Sequence, residues 1–169
     1  MRYRITLKII ALRLLALFSL VTLFSCNKRK EKLDFIGIEK EILVEFEKFE
    51  NSLSNRDLET ISKYYSDNPD FFWVENGSIA YPSGAAARNS IKSFYPSLKS
   101  MKFKSLDKKV VPINNSNALF YVEYEQVLVF PSDQKIEING AMTIFMKKED
   151  GAWKFIVGHS SGKPENQNQ

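Results

Sequence analysis

From Met101 to Ser160 the chain reads as four extended runs separated only by turn residues, and this constrains its fold more than any other feature. Met101 to Ile113 closes on Asn114-Asn115-Ser116-Asn117, and Ala118 to Phe130 closes on Pro131-Ser132-Asp133. Ile136 to Lys148 turns through Glu149-Asp150-Gly151 into Ala152 to Ser160. Such clusters of Asn, Pro, Ser, Asp and Gly between β-branched and aromatic runs predict an antiparallel sheet built from sequential strands. Gly140 falls inside the third run, where it predicts a bend or bulge of the kind a curved sheet needs.

The residues before this block are helical in pattern. Ile38, Ile42, Phe46, Phe49 and Leu53 recur at steps of four, four, three and four, with Glu39, Glu41, Glu45, Glu47 and Lys48 between them. That is one apolar face of a helix about four turns long. Ser54-Asn55 offers an N-cap for a second helix with Asp57 and Glu59 in its first turn and Leu58, Ile61 and Tyr64 or Tyr65 on its apolar side. Ser66-Asp67-Asn68-Pro69 ends it, because the residue before proline is pushed out of the helical region. Asp70 to Glu75, Asn76-Gly77 and Ser78 to Tyr81 then make a hairpin. Ser83 caps a third helix from Gly84 to about Tyr95, which Pro96 terminates. Three helices followed by long antiparallel strands predict an α+β domain with the helices on one face of the sheet.

The N-terminus has a different character. Arg2, Arg4, Lys8 and Arg13 precede an apolar run from Leu14 to Phe24 that is too short to span a bilayer. A basic start, a short apolar middle and a small residue at the end predict a cleaved export signal over residues 1–25. Leu23-Phe24-Ser25-Cys26 resembles the lipobox of bacterial lipoproteins, which implies that Cys26 becomes the lipidated first residue. The expected organisation is signal peptide 1–25, lipidated cysteine and basic tether 26–35, domain 36–161 and polar tail 162–169. The expected location is the bacterial cell envelope, lipid-anchored to the bilayer through Cys26 and facing the periplasm.

This reading changes the meaning of the charge. The whole chain has a net charge of +4, but residues 1–25 carry four basic and no acidic side chains, leaving 20 of each sign in the remainder. From Leu33 onward there are 16 basic and 19 acidic residues, so the phosphate-binding charge that a nucleic-acid partner requires is missing. One Cys and one His exclude a disulfide framework and a structural zinc site. No glycine-rich phosphate loop or dinucleotide fingerprint is present, so no metal and no cofactor is expected.

Gly140-Ala141-Met142-Thr143-Ile144-Phe145, Asp150-Gly151-Ala152-Trp153-Lys154-Phe155-Ile156 and His159-Ser160-Ser161 carry a family resemblance. They follow Phe49-x3-Leu53-x3-Asp57-Leu58 at the first helix junction and Asp70-Phe71 at the first strand. In that order they resemble the nuclear-transport-factor-2-like superfamily, in its SnoaL-like and ketosteroid-isomerase-like branch, over Ile38 to Ser161. The resemblance implies a cystatin-like cone, in which a curved, mainly antiparallel sheet wraps the three helices around a pocket open at one end. It also implies a homodimer formed through the sheet, and one of three roles: a small-molecule ligand held in the pocket, a proton-transfer reaction of isomerase, cyclase or dehydratase type, or a non-catalytic dimeric scaffold whose pocket is filled by its own side chains.

Two residues are candidates for that chemistry. His159, the only histidine, shares a strand face with Trp153, Phe155 and Val157, because side chains alternate along a strand; if that face looks into the cone, an imidazole sits at the end of an apolar wall. Asp70, flanked by Phe71 and Trp73, is the best isolated carboxylate in an apolar setting. Each also has a plainer role, as a hydrogen-bonded strand-end histidine and a turn-capping aspartate. Trp73, Tyr81, Phe94, Tyr124 and Trp153 are candidate ligand-binding aromatics, because elements at these places line the pocket in relatives. Gly158-His159-Ser160-Ser161-Gly162 matches the hydrolase pattern G-x-S-x-G, but the strand-turn-helix it needs is lacking and the sole histidine precedes the serine.

Overall fold

The structure is a computed structural model, and it describes residues 33–163. The expected export signal, Cys26 with most of the expected tether, and the end of the polar tail lie outside the described residues. Among the described residues no helix is long and apolar enough to cross a membrane.

Helix α1 spans Phe35–Asn55, with Asp34 accepting a cap bond from the Gly37 N–H. Its five periodic apolar residues are all buried, as the spacing predicts. The helix runs past Ser54-Asn55, so these residues do not cap the next one. Arg56 adopts a left-handed conformation (φ 58°) and its N–H bonds back to the Leu53 carbonyl, which closes α1 and turns the chain. Asp57 is therefore the cap of α2, Leu58–Tyr64, accepting from the Thr60 N–H at 3.1 Å. The chain then leaves α2 in an extended conformation at Tyr65, which bridges to Phe155 in the sheet.

Strands β1 (Phe72–Glu75) and β2 (Ser78–Tyr81) are joined by Asn76 and Gly77, at φ 48° and 85°. Two consecutive positive φ values fit the right-handed twist of a hairpin and explain why Asn-Gly occupies the turn. Helix α3, Gly84–Phe94, is capped by Ser83, whose hydroxyl accepts from Ala86 N–H. A short 3₁₀ turn, Tyr95–Ser97, holds Pro96 and leads into the sheet. Strands β3 (Ser100–Asn114), β4 (Asn117–Val129), β5 (Lys135–Glu149) and β6 (Ala152–Gly162) form the antiparallel meander. The sheet order is β2-β1-β6-β5-β4-β3, and β1 lies parallel to β6. The architecture is thus α+β: three helices packed on a curved, mainly antiparallel six-stranded sheet among the described residues.

Irregularities in the ladders fall at places other than Gly140. Pairing between β4 and β5 runs through Gly140 without a break, and Gly140 is the end pair of the β5–β6 ladder. Its missing side chain instead makes room: a Cβ there would sit 2.8 Å from the ring of Tyr124 and 2.6 Å from the Ser161 carbonyl. The bulge lies nearby on β6, where Phe145 pairs with Val157 but Met146 pairs with Phe155, so Ile156 is an extra residue. One inserted residue reverses which side chains face the core. Trp153 and Phe155 point inward before it, whereas Gly158 and Ser160 point inward after it.

Candidate functional site

The concave face of the sheet is filled at one end and hollow at the other. At the filled end Phe46 packs on Phe120 with ring centroids 4.5 Å apart, and Phe155 meets Phe49 at 5.0 Å. Further along the same strands the side chains stand back to leave a cavity of about 360 Å³. Its walls come from α1 (Phe49, Leu53), from β1 to β6, and from α3 with the following turn (Ile91, Phe94, Tyr95).

Two glycine contacts shape the wall. A Cβ on Gly158 would lie 2.1 Å from the Trp73 ring, so only glycine lets that indole lie flat across β6. The indole N–H then donates to Ser160 Oγ at 3.2 Å, which fixes the ring. Tyr124 is held in the room left by Gly140 and stacks on Phe103 at 4.9 Å. Tyr81 accepts from Ser90 on α3 at 3.5 Å. Arg56 holds the turn that carries Tyr95, donating to its carbonyl at 2.8 Å.

One ionisable carboxyl enters this chamber, that of Glu75 at the end of β1. Period-two alternation from Trp73 puts it on the inward face. Burial pushes its pKa above the ordinary carboxylate value of 4.5. No hydrogen-bond or ion-pair partner for the carboxylate occurs among the described residues. Its charge is felt by the phenols of Tyr65 and Tyr124, and Tyr65 also feels Tyr81 and Tyr95. Burial is the first cause that drives Tyr65, Tyr95 and Tyr124 upward, so all three stay protonated and can donate. The Tyr95 hydroxyl is buried with no partner, a state that costs about 1–3 kcal/mol. Among the described residues no Lys, Arg or His lines the cavity. Among the described residues no three His, Cys, Asp or Glu side chains gather to hold a metal ion.

The predicted site residues divide among this cavity, the packed end and the exterior. Trp73, Tyr81, Phe94 and Tyr124 line it together. Trp153 does not: it lies at the opposite, packed end, where its indole N–H donates to Glu41 Oε2 at 2.9 Å and Lys148 sits over its ring. His159 is also outside. The bulge at Ile156 breaks the alternation, so His159 pairs across from Thr143 on the outer face and is exposed. Asp70 is exposed in the turn before β1, its backbone N–H donating to Asn68 Oδ1. Glu75, Tyr65, Ser160 and Gln126 line the cavity without having been singled out as candidates. Glu75 carried a readable signal, since it stands two residues from Trp73 in a predicted strand. Ser160 had none, because only the bulge turns it inward.

A wider hollow of about 1020 Å³ lies on the exterior along α2, α3 and the β5–β6 turn. Its charges are mostly satisfied already: Arg88 pairs with Asp67, Lys63 with Glu59, and Glu149 accepts from Ser66 and Asn68.

The fold and the hollow cone define a protein of the nuclear-transport-factor-2-like class. Residues 43–164 match the SnoaL-like domain family, and the chain belongs to it. No curated protein sequence matches it. Among solved structures it is similar to an NTF-2 like protein of unknown function from Shewanella oneidensis, at 21% identity and TM-score 0.60, covering 73% of this chain and 98% of that one. It is similar to an NTF2-like superfamily protein from Salmonella enterica, at 11% identity and TM-score 0.66, covering 78% and 95%. It is also similar to a hexachlorocyclohexane dehydrochlorinase of LinA type from Novosphingobium barchaimii, at 14% identity and TM-score 0.63, covering 76% and 88%.

Proposed function

We propose that this SnoaL-like domain binds a small molecule inside its cone and is held at the bacterial cell envelope by a lipid on Cys26. The observation that carries the binding reading is the cavity of about 360 Å³, walled by aromatic rings and containing the unpaired carboxyl of Glu75. A chamber filled by its own side chains would have paired that group. The neutral fluorescent probe N-phenyl-1-naphthylamine tests the reading. The full chain brightens it, and Ile91→Trp, which fills the chamber from α3, abolishes the signal while the fold survives. A wild-type protein that leaves the probe dark defeats the reading. The anchor is tested separately: Cys26→Ala releases the protein from the membrane fraction, and unchanged retention rejects the lipid.

A second reading is proton transfer, favoured by the raised pKa of Glu75 beside protonated tyrosines. A carboxylate with an elevated pKa is a usable base, and phenols that donate stabilise a developing oxyanion. The dehydrochlorinase among the similar structures fits this reading. Here the acting groups are Glu75 and the tyrosines; His159 and Asp70 have no place in it. Its test is deuterium exchange at the α-carbon of 2-tetralone, which Glu75→Gln ends. The homodimer implied by the resemblance remains a proposal about the outer sheet face, read out by the mass of the protein in solution.

A further inference from the structure

Among the described residues the cavity combines a lone negative group with π-faces and offers no positive side chain. Such a lining is unbalanced in one direction. An anionic ligand would meet Glu75 as a like charge with nothing to offset it. A neutral ligand would leave the carboxylate desolvated and unpaired, or force it to take up a proton. A cation relieves both conditions, because it pairs with the carboxylate and its charge is attracted to ring faces.

The rings are placed for this. Trp73 lies 6.1 Å from Tyr65, centroid to centroid, and is fixed by its bond to Ser160. Tyr65 and Tyr124 both lie within the field of Glu75, and Tyr81 joins them at the wall. We propose that the cavity takes an organic cation, an amine or quaternary ammonium with an apolar body, with Glu75 as counter-charge and Tyr65, Trp73, Tyr81 and Tyr124 as walls. This rests on the small-molecule reading above and names the class of ligand. The apolar body extends toward Met101, Leu128 and Ile138, which complete the chamber.

The titratable groups that share the chamber with Glu75 make its pH behaviour simple. Among the described residues they are the phenols of Tyr65 from the end of α2, Tyr81 from β2, Tyr95 from the turn after α3 and Tyr124 from β4. The upward-shifted phenols of Tyr65, Tyr95 and Tyr124 stay neutral wherever a carboxyl titrates. Arg56, whose charge reaches Tyr95, is bound to the Tyr95 and Lys99 carbonyls and does not line the chamber. A permanently charged ligand therefore loses affinity as pH falls and Glu75 takes a proton.

The test compares phenyltrimethylammonium with tert-butylbenzene, a pair of the same shape in which a charged nitrogen replaces a carbon. Calorimetric titration of the full chain at about pH 8 gives roughly tenfold or greater preference for the cation. That preference shrinks toward unity near pH 4.5, where an ordinary carboxyl is half protonated, and is absent at both pH values in Glu75→Gln, which still binds tert-butylbenzene. Equal affinity for the two probes in the wild type, or a cation preference that survives Glu75→Gln, overturns the proposal and leaves the small-molecule reading standing. Binding of neither probe by the wild type overturns both.

Discussion

Two halves of one concave sheet face are built from the same strands and the same kinds of residue, yet one is solid and the other hollow. β4 supplies Phe120 and Val122 to the solid half and Tyr124, Gln126 and Leu128 to the hollow one. β5 likewise supplies Ile144 and Met146 to one and Met142 and Ile138 to the other. Burial alone separates them poorly: Phe120 is 0% exposed and Tyr124 only 7%. One carboxyl separates them better. In the solid half Tyr64 donates to the Glu45 carbonyl at 3.0 Å and Trp153 to Glu41 at 2.9 Å. In the hollow half Trp73 donates to Ser160 and Ser90 to Tyr81, but among the described residues the Glu75 carboxyl has no partner. A polar group that evolution leaves unpaired in a cavity is better explained by a ligand than by stability.

The largest break in this comparison comes from truncating each half in turn. Phe46→Ala removes a ring in contact with Phe49, Phe103 and Phe120 and leaves a void that its neighbours cannot fill. The expected loss is about 3–5 kcal/mol in urea unfolding. Met142→Ala enlarges a chamber that already exists, so chiefly the transfer cost remains, about 2 kcal/mol. If the two variants lose equal stability, the hollow half is packed as tightly as the solid one.

A smaller effect with a sharper location is expected from Gly158→Ala. The added methyl would lie within 2.1 Å of Trp73, so the indole must move away from β6 and give up its bond to Ser160. Overpacking of this kind costs about 1–3 kcal/mol. The displaced ring changes the near-ultraviolet circular dichroism and the emission of Trp73, leaving Trp153 at the far end as an internal control. Gly158→Ala with both signals unchanged would show that Trp73 does not rest on β6.

The same residues mark the limit of what the sequence discloses. The three helices, the Asn-Gly hairpin and four long strands are local patterns, and each is found within a few residues of its expected place. Trp73, Tyr81, Phe94 and Tyr124 are legible because they sit on elements whose position in the fold is set by chain order. His159 faces outward because one residue, Ile156, is accommodated as a bulge. Nothing in Trp153 to Ser160 announces it, since a bulge is chosen by how β6 must curve around Phe155, and that is a property of the whole sheet. Trp153 follows the expected alternation but stands at the solid end of its strand, away from the chamber. Asp70 and Glu75 illustrate the remaining ambiguity. Both flank apolar runs, and only strand alternation from Trp73 favours Glu75, while the turn bonds of Asn68 keep Asp70 outside.

The smallest effect is the most diagnostic of the two ionisable candidates. Burial raises the folded pKa of Glu75 above its ordinary 4.5, so folding disfavours its charged form. Its contribution is neutral below the unfolded pKa, where the group is protonated in both states. Stability is then lost as pH rises through the folded pKa, because the unfolded chain ionises more readily. Glu75→Gln deletes that loss, so the variant melts above the wild type at about pH 7.5 and level with it near pH 4. The carboxyls whose pKa values are lowered by partners, Glu41 through Lys148 and Glu123 through Lys163, are common to both proteins and cancel in the difference. His159→Gln is the matching control on the outer face. An exposed residue with no side-chain hydrogen bond or ion pair changes stability by no more than about 0.5 kcal/mol and leaves probe binding unaltered. A His159→Gln variant that loses probe binding, with Glu75→Gln showing a flat melting difference across pH, would move the chemistry from the chamber to the outer face of the sheet.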